Sequence, residues 1–231
     1  MPSSPTPTRR SARRWWFLFR RHPSALLLVA QLACVLAYPF VEQTHAARIL
    51  VGVFGVLILL LALRMIGHTS ARLWPGLVLA TAAVVLNALY IGLDLERLQP
   101  WQAALEAAFY FYAAGSLVSY MLADERATTD ELYAAGATLT LLVWAFTYLL
   151  VLCQAWQPGA FAGSVDAGAP RAWTDLMFLS FALFTSTGIG DVIPISPLAR
   201  AVANLEMFTG VMYLALVVSR LIGLSVAQRR D

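Results

Sequence analysis

The sequence predicts an all-α integral membrane protein: six transmembrane helices, with a short re-entrant helix and a glycine-containing loop between the fifth and sixth. Three observations carry this. First, the chain of 231 residues is 60% hydrophobic and 13% charged, where a soluble domain holds about 25% charged residues. Second, the apolar residues fall in six runs, at about 24–40, 47–66, 73–93, 102–122, 133–155 and 198–222. About 20 helical residues cross roughly 30 Å of hydrocarbon, and only the first run is short by this measure. Third, Thr185-Ser186-Thr187-Gly188-Ile189-Gly190-Asp191 stands between the last two runs, at the end of an apolar segment too short to cross.

Residues 1–22 are rich in Pro, Ser and Arg, and read as a disordered basic tail. All 16 basic residues of the chain are arginine. Six of them (Arg9, Arg10, Arg13, Arg14, Arg20, Arg21) precede the first run. With Arg64, Arg72, Arg126, Arg220, Arg229 and Arg230, the inner segments of a six-span chain hold 12, against four outside: Arg48, Arg97, Arg171 and Arg200. Basic residues mark the cytoplasmic side, so both termini are expected inside, in a multi-pass protein of the cell (plasma or inner) membrane. No small-x-small cleavage site follows Phe40 and further spans come after it, so the first run reads as a retained signal-anchor helix. The net charge of +3 is explained by arginines at membrane edges touching lipid, without a nucleic-acid partner.

Residues 23–124 form a four-helix region. A boundary follows in the polar run near Ala123–Asp130, and residues 132–225 read as a separate pore module ahead of a short cytoplasmic tail, 226–231. Only Gly223–Asp231 follows the last run, which leaves no room for a soluble regulatory domain. Cys34 and Cys153 read as small buried hydrophobes near the outer ends of their spans. His22, His45 and His68 fall near membrane edges without metal-ligand spacing, and there is no G-x-S-x-G elbow, so no enzyme and no cofactor is expected.

Within the last module, Trp156 to about Ala172 is rich in Gly, Pro and Ala and reads as an irregular outer turret. Thr174 or Asp175 is the expected cap of the short segment Leu176–Phe184. From Thr174 to Thr185 is 12 residues, about 18 Å as a helix, so the segment returns to the side it entered from. The negative end of its dipole then favours a cation at the glycine motif. Gly188 and Gly190, at alternate positions, supply backbone angles that residues with a Cβ adopt at a cost, and let consecutive carbonyls point the same way. Several such loops round an axis replace an ion's hydration shell with rings of backbone oxygens. Non-helical backbone at membrane depth survives only inside protein or along a water-filled path. One chain supplies one loop and shows no internal repeat, so a four-fold pore needs four copies, a homotetramer. A dinucleotide loop fits worse, because Ile193 stands at the third glycine of GxGxxG. A transporter of two repeated halves fits worse too, because one interrupted segment occurs once.

Trp173 to Phe181, and Asp191-Val192-Ile193-Pro194 beyond the glycine motif, resemble the pore helix, filter and post-filter turn of bacterial potassium channels, whose pattern is approximately D-x-x-Y-F-S-F and then T-x-T-T-V-G-Y-G-D. The resemblance covers about residues 133–225. It implies a selectivity filter of Thr185, Ser186, Thr187, Gly188, Ile189, Gly190 and Asp191. The carbonyls of Ser186, Thr187, Gly188 and Ile189 would coordinate dehydrated K⁺, the Ser186 hydroxyl would face the inner cavity, and Asp191 would brace the filter mouth. Ser186, Thr187 and Ile189 depart from the usual Thr, Val and Tyr or Phe. The Thr187 hydroxyl needs a partner behind the filter, and Ile189 lacks the aromatic packing that braces it. A K⁺-selective channel is the implied function; a weakly selective monovalent cation channel and a non-conducting channel-like sensor or scaffold remain alternatives.

On a helical wheel Met207, Val211, Leu214 and Val218 share one face of the last span, which the resemblance makes the cavity lining. Gly210 falls at the spacing of the family's hinge glycine; a small residue for close helix packing is the other reading. Glu206 is an ionisable group at membrane depth. It points away from that face, and is expected to support the filter by bonding near Ser180, or else to sit at the pore mouth in water. Glu106 lies near the outer end of its span and reads as an interfacial carboxylate before a proton relay. Residues 102–122 contain no arginine, and Arg48 and Arg64 stand at opposite ends of another span. One charge crossing the field is worth about 2.3 kcal/mol per 100 mV, so strong voltage sensing needs several on one span. The conductance–voltage relation in symmetric K⁺ is therefore predicted to be shallow, and a steep one would refute this reading of the first four spans.

Overall fold

The computed structural model describes residues 23–37, 45–67, 72–93, 96–123, 129–163 and 169–227. The expected tail 1–22, most of the polar boundary run and the last four residues lie outside the described residues. Among those described, seven α-helices follow one another: α1 Pro23–Ala37, α2 His45–Ile66, α3 Leu73–Leu93, α4 Gln99–Ala123, α5 Thr129–Trp156, α6 Trp173–Phe184 and α7 Pro197–Ala227. A 3₁₀ turn, Glu96–Leu98, leads into α4. Each of the six apolar runs is thus a helix, and α6 is the short segment between the last two.

By length and apolar composition two helices can cross a membrane, Thr129–Trp156 and, within α7, Pro197–Arg220. α1 has 15 residues, about 22 Å of helix. The 12 residues of α6 fall shorter still of the roughly 30 Å required.

α5 is the spine of the molecule. Ala134, Ala137, Leu141, Val143, Ala145 and Leu150 have no exposed surface. α4 lies along it with Phe109, Tyr110, Ala113, Ala114 and Leu117 buried. Alanines on both sides of this seam let the two backbones approach closely, which is how helices associate where no hydrophobic effect drives them together. α1 covers another side of α5 with the stripe Ser24, Leu27, Gln31 and Cys34. Ser24 donates to Asp130 Oδ2 at 2.9 Å, and Gln31 Nε2 donates to the Ala137 carbonyl at 3.4 Å. A Cβ on Gly136 would come within 2.9 Å of the Leu28 side chain. The first helix is therefore fitted directly to α5.

Two expectations change. The outer turret is not wholly irregular: β1, Phe161–Gly163, pairs antiparallel with β2, Val192–Pro194, placing Phe161 opposite Pro194 and Gly163 opposite Val192. Three-residue strands carry no periodicity in sequence, so composition could not reveal them. Glu106 is not interfacial but 3% exposed, because it faces the α4–α5 seam. There it is hydrogen-bonded to Tyr110, whose ring stacks on Tyr148 at 5.8 Å and meets Trp144 edge-on at 5.6 Å. Cys34 and Cys153 are free thiols, both buried.

The far end of α7 is tied to the first turns of α5. Arg220 lies 3.6 Å from Glu131, which is 1% exposed against 18% for Arg220, and Tyr213 donates to the Ala135 carbonyl at 2.6 Å. Removing Arg220 takes a charge partner from the buried Glu131. Arg220→Ala should therefore destabilise the protein by roughly 2–3 kcal/mol, discounted for the solvent Arg220 still sees. The exposed Arg72→Ala should stay within about 0.5 kcal/mol. Thermal unfolding in detergent compares the two, and equal effects would remove the ion pair from the account.

Candidate functional site

The loop Thr185–Asp191 is placed by α6, and α6 is placed by its neighbours. The helix starts at Trp173, one residue before Thr174 and two before Asp175, the expected caps. Its N-cap is Ala172, in extended conformation, and Asp175 reaches back to accept the Ala172 N–H at 3.1 Å. Asp175 thus serves the N-terminus from the third helical position, where a carboxylate also meets the positive end of the dipole. Just upstream, Gln154 at the end of α5 holds Arg171 twice: it donates to the Arg171 carbonyl at 3.0 Å and accepts its N–H at 2.8 Å. The Trp173 ring meets Trp144 and Tyr148, with centroids 6.2 and 6.1 Å apart. Leu176, Met177, Leu179, Ser180, Ala182 and Phe184 are buried; Phe178 is the one exposed side chain of α6.

The other end of α6 sets the loop. Thr185 N–H bonds the Phe181 carbonyl at 3.0 Å, Ser186 N–H the Leu183 carbonyl at 3.1 Å, and Thr187 N–H the Ala182 carbonyl at 3.0 Å. The last two bonds form a Schellman motif, which requires a left-handed residue at the position after the cap. That residue is Ser186, at φ 56°. Gly188 is left-handed as well, at φ 68°, and Gly190 is not. The expectation that Gly188 and Gly190 supply the unusual angles is corrected: the alternate left-handed positions are 186 and 188. The reason is the helix end, whose paired amides force the chain back at Ser186 whatever side chain stands there. The signal in sequence was an apolar helix ending in Thr-Ser, but a Schellman turn is normally announced by glycine.

The side chains behind the loop bond to the same helix end. Thr185 donates to the Phe181 carbonyl at 2.6 Å, and the Thr187 hydroxyl has the Ala182 carbonyl at 3.4 Å. Ser186, Thr187, Gly188, Ile189, Gly190 and Asp191 are exposed in the single chain, Ile189 at 68%. Beyond the loop, the backbone of β2 is paired with β1, and Arg200 Nε donates to the Pro194 carbonyl at 3.1 Å. Ser196 then caps α7, accepting the Ala199 N–H at 3.2 Å with Pro197 at the first helical position.

Among the described residues, the buried positions of α7 form one edge: Ala199, Ala203, Glu206, Gly210, Tyr213 and Val217, spaced by alternating fours and threes. Met207, Val211 and Val218 lie off this edge and are exposed, whereas Leu214 is half-buried against the core. Glu206 has no exposed surface, and its Oε1 is hydrogen-bonded to Ser180. Ser180 also donates to the Val143 carbonyl at 2.8 Å. One polar node therefore joins α5, α6 and α7, two turns behind the glycine motif. Val143 contributes through its backbone, which no side-chain pattern discloses.

Residues 136–225 match the family model described as ion channel. The match runs from within α5 through α6, the loop and α7. The match covers less than half of the chain; over those residues it supports an ion channel, and it points to transport rather than enzymatic chemistry. No curated protein and no solved structure matches the chain.

A serine in left-handed backbone costs roughly 1–2 kcal/mol that glycine does not pay. Ser186→Gly should raise the stability of the protein by about 1 kcal/mol. If the hydroxyl also helps to bind an ion, the same change weakens protection by K⁺ against thermal unfolding. Melting curves in K⁺ and in a non-binding cation separate the two effects; a variant less stable in both would reject the strain argument.

Proposed function

We propose that four copies of this chain form a K⁺-selective channel that conducts passively across the cell membrane. The observation that carries this reading is the loop itself. At the C-terminal end of a short buried helix, backbone alternates through the left-handed region at Ser186 and Gly188, with the amides behind it already bonded to the helix. The carbonyls of Ser186, Thr187, Gly188 and Ile189 are left to coordinate a dehydrated ion around a shared axis. The dipole of α6 adds its negative end on the same side.

Six helices cross the membrane with both termini in the cytoplasm, in keeping with the distribution of arginine. α7 supports the assembly: it is apolar but meets its own chain along one edge, and the remaining surface falls to neighbouring copies, the cavity and lipid. Met207, Val211 and Val218 line the cavity, with Leu214, half-buried against its own chain, at the edge of that face. Glu206 and Ser180 support the filter from behind, and Asp191 holds its outer mouth. The chain moves no gating charge, so opening is not strongly voltage-dependent. Ile189 favours a second reading, a weakly selective cation pore, because an aliphatic side chain cannot brace the filter as an aromatic ring does.

Purified protein in planar bilayers, under a K⁺/Na⁺ bi-ionic gradient, tests the proposal. Unitary currents reversing near the K⁺ potential are expected. Reversal near zero would replace selectivity with a non-selective cation pore, and silence from an assembled tetramer would favour a non-conducting sensor or scaffold.

A further inference from the structure

The buried edge of α7 runs beside α6 in matching register: Glu206 stands at Ser180, and Gly210, one turn on, stands at Phe184. The second contact is unusually close. A Cβ built on Gly210 would lie 2.0 Å from the Phe184 carbonyl oxygen, 2.7 Å from its carbonyl carbon and 2.9 Å from its Cα. All three are backbone atoms, so no side-chain rotation relieves the clash. Gly210 is itself helical and lacks a left-handed φ, so its own conformation does not call for glycine. The requirement comes from the neighbouring peptide.

Phe184 has little room to yield. It is the last residue of α6, and the next three amides are tied back to Phe181, Leu183 and Ala182. Its ring packs against Tyr213, with centroids 6.0 Å apart, and Tyr213 is anchored to the Ala135 carbonyl of α5. One turn earlier, Ser180 is held between Val143 and Glu206. The peptide that Gly210 touches leads directly into Thr185 and the strained Ser186.

We infer that Gly210 is a positioning residue for ion selection, the seat on which the end of α6 and so the inner end of the filter rests. The inference depends on the channel reading above. α7 cannot bend or shift at Gly210 without moving the Phe184–Thr185 peptide, so motion of this helix is delivered to the filter. A free hinge needs no such contact.

The test uses the full-length channel with Gly210→Ala and with Gly210→Ala/Val211→Gly. Val211 is 52% exposed and off the buried edge, so glycine there restores helix flexibility one residue away but not the seat. The readouts are the K⁺/Na⁺ permeability ratio and the shift in melting temperature produced by K⁺. The single variant should lose at least about tenfold in permeability ratio, together with the K⁺ shift, and the double variant should recover neither. Alanine is the better helix former, so failure of Gly210→Ala to assemble is also the result of a filled seat, provided that the double variant fails alike. Wild-type ratio and K⁺ shift in Gly210→Ala, with open probability alone altered and recovered by Val211→Gly, would overturn the seat in favour of a hinge. Assembly restored by Val211→Gly would overturn it too. Wild-type protein without selective currents would instead sink the channel reading, and the inference with it.

Discussion

Hydrocarbon offers no hydrogen bond, and this chain leaves the helix at Phe184, between two helices long and apolar enough to cross a membrane. Much of the arrangement around the loop answers that constraint. The first three amides past the helix are taken up by the last carbonyls of α6, and the hydroxyls of Thr185 and Thr187 turn to the same carbonyls. β1 takes up the backbone where the loop emerges. Between these two ends residues 186–191 are exposed. The same economy creates the strain at Ser186, because a helix end satisfied in this way must turn through the left-handed region.

The short helix needs rigid walls, and α5 supplies them. Almost every face of it is occupied: α4 on one side, α1 on another, α6 and the inner edge of α7 on the rest. Contacts to α5 repeat at three levels. Gln154 holds the entrance to α6, Val143 receives Ser180 at its middle, and Ala135 and Glu131 receive Tyr213 and Arg220 near the far end of α7. Two of the four use α5 backbone carbonyls, whose second lone pair is free to bond across a helix interface without disturbing the helix. A displacement of α7 therefore has to work against α5 as well as against the end of α6.

Glu206 shows how a carboxyl costly to bury can be accommodated. Its carboxyl is fully enclosed, with Oε1 bonded to Ser180 and no partner for Oε2 among the described residues. A group buried at that cost is retained where it fixes one arrangement. Here the arrangement is the register of α6 against α7, which Gly210 then makes exclusive by admitting no Cβ.

Much of this was legible in the sequence. Apolar runs marked six of the seven helices among the described residues, because a segment buried in hydrocarbon or in protein is written in its composition. The length of the apolar segment before Thr185 marked the short helix α6, and wheel geometry turned Glu206 away from the exposed face. What the sequence left open lay in contacts between backbones: the strands at Phe161 and Val192, the carbonyls of Val143 and Ala135, and the approach of Gly210 to Phe184. Glu106 was misjudged because a span's depth can be counted along the chain, whereas the direction it faces depends on which helix lies beside it. Side-chain chemistry and its period determined which segments are helices and where ions could be met. Only the tertiary structure decided which peptide groups touch, and those contacts assign Ser186 its strain and Gly210 its place.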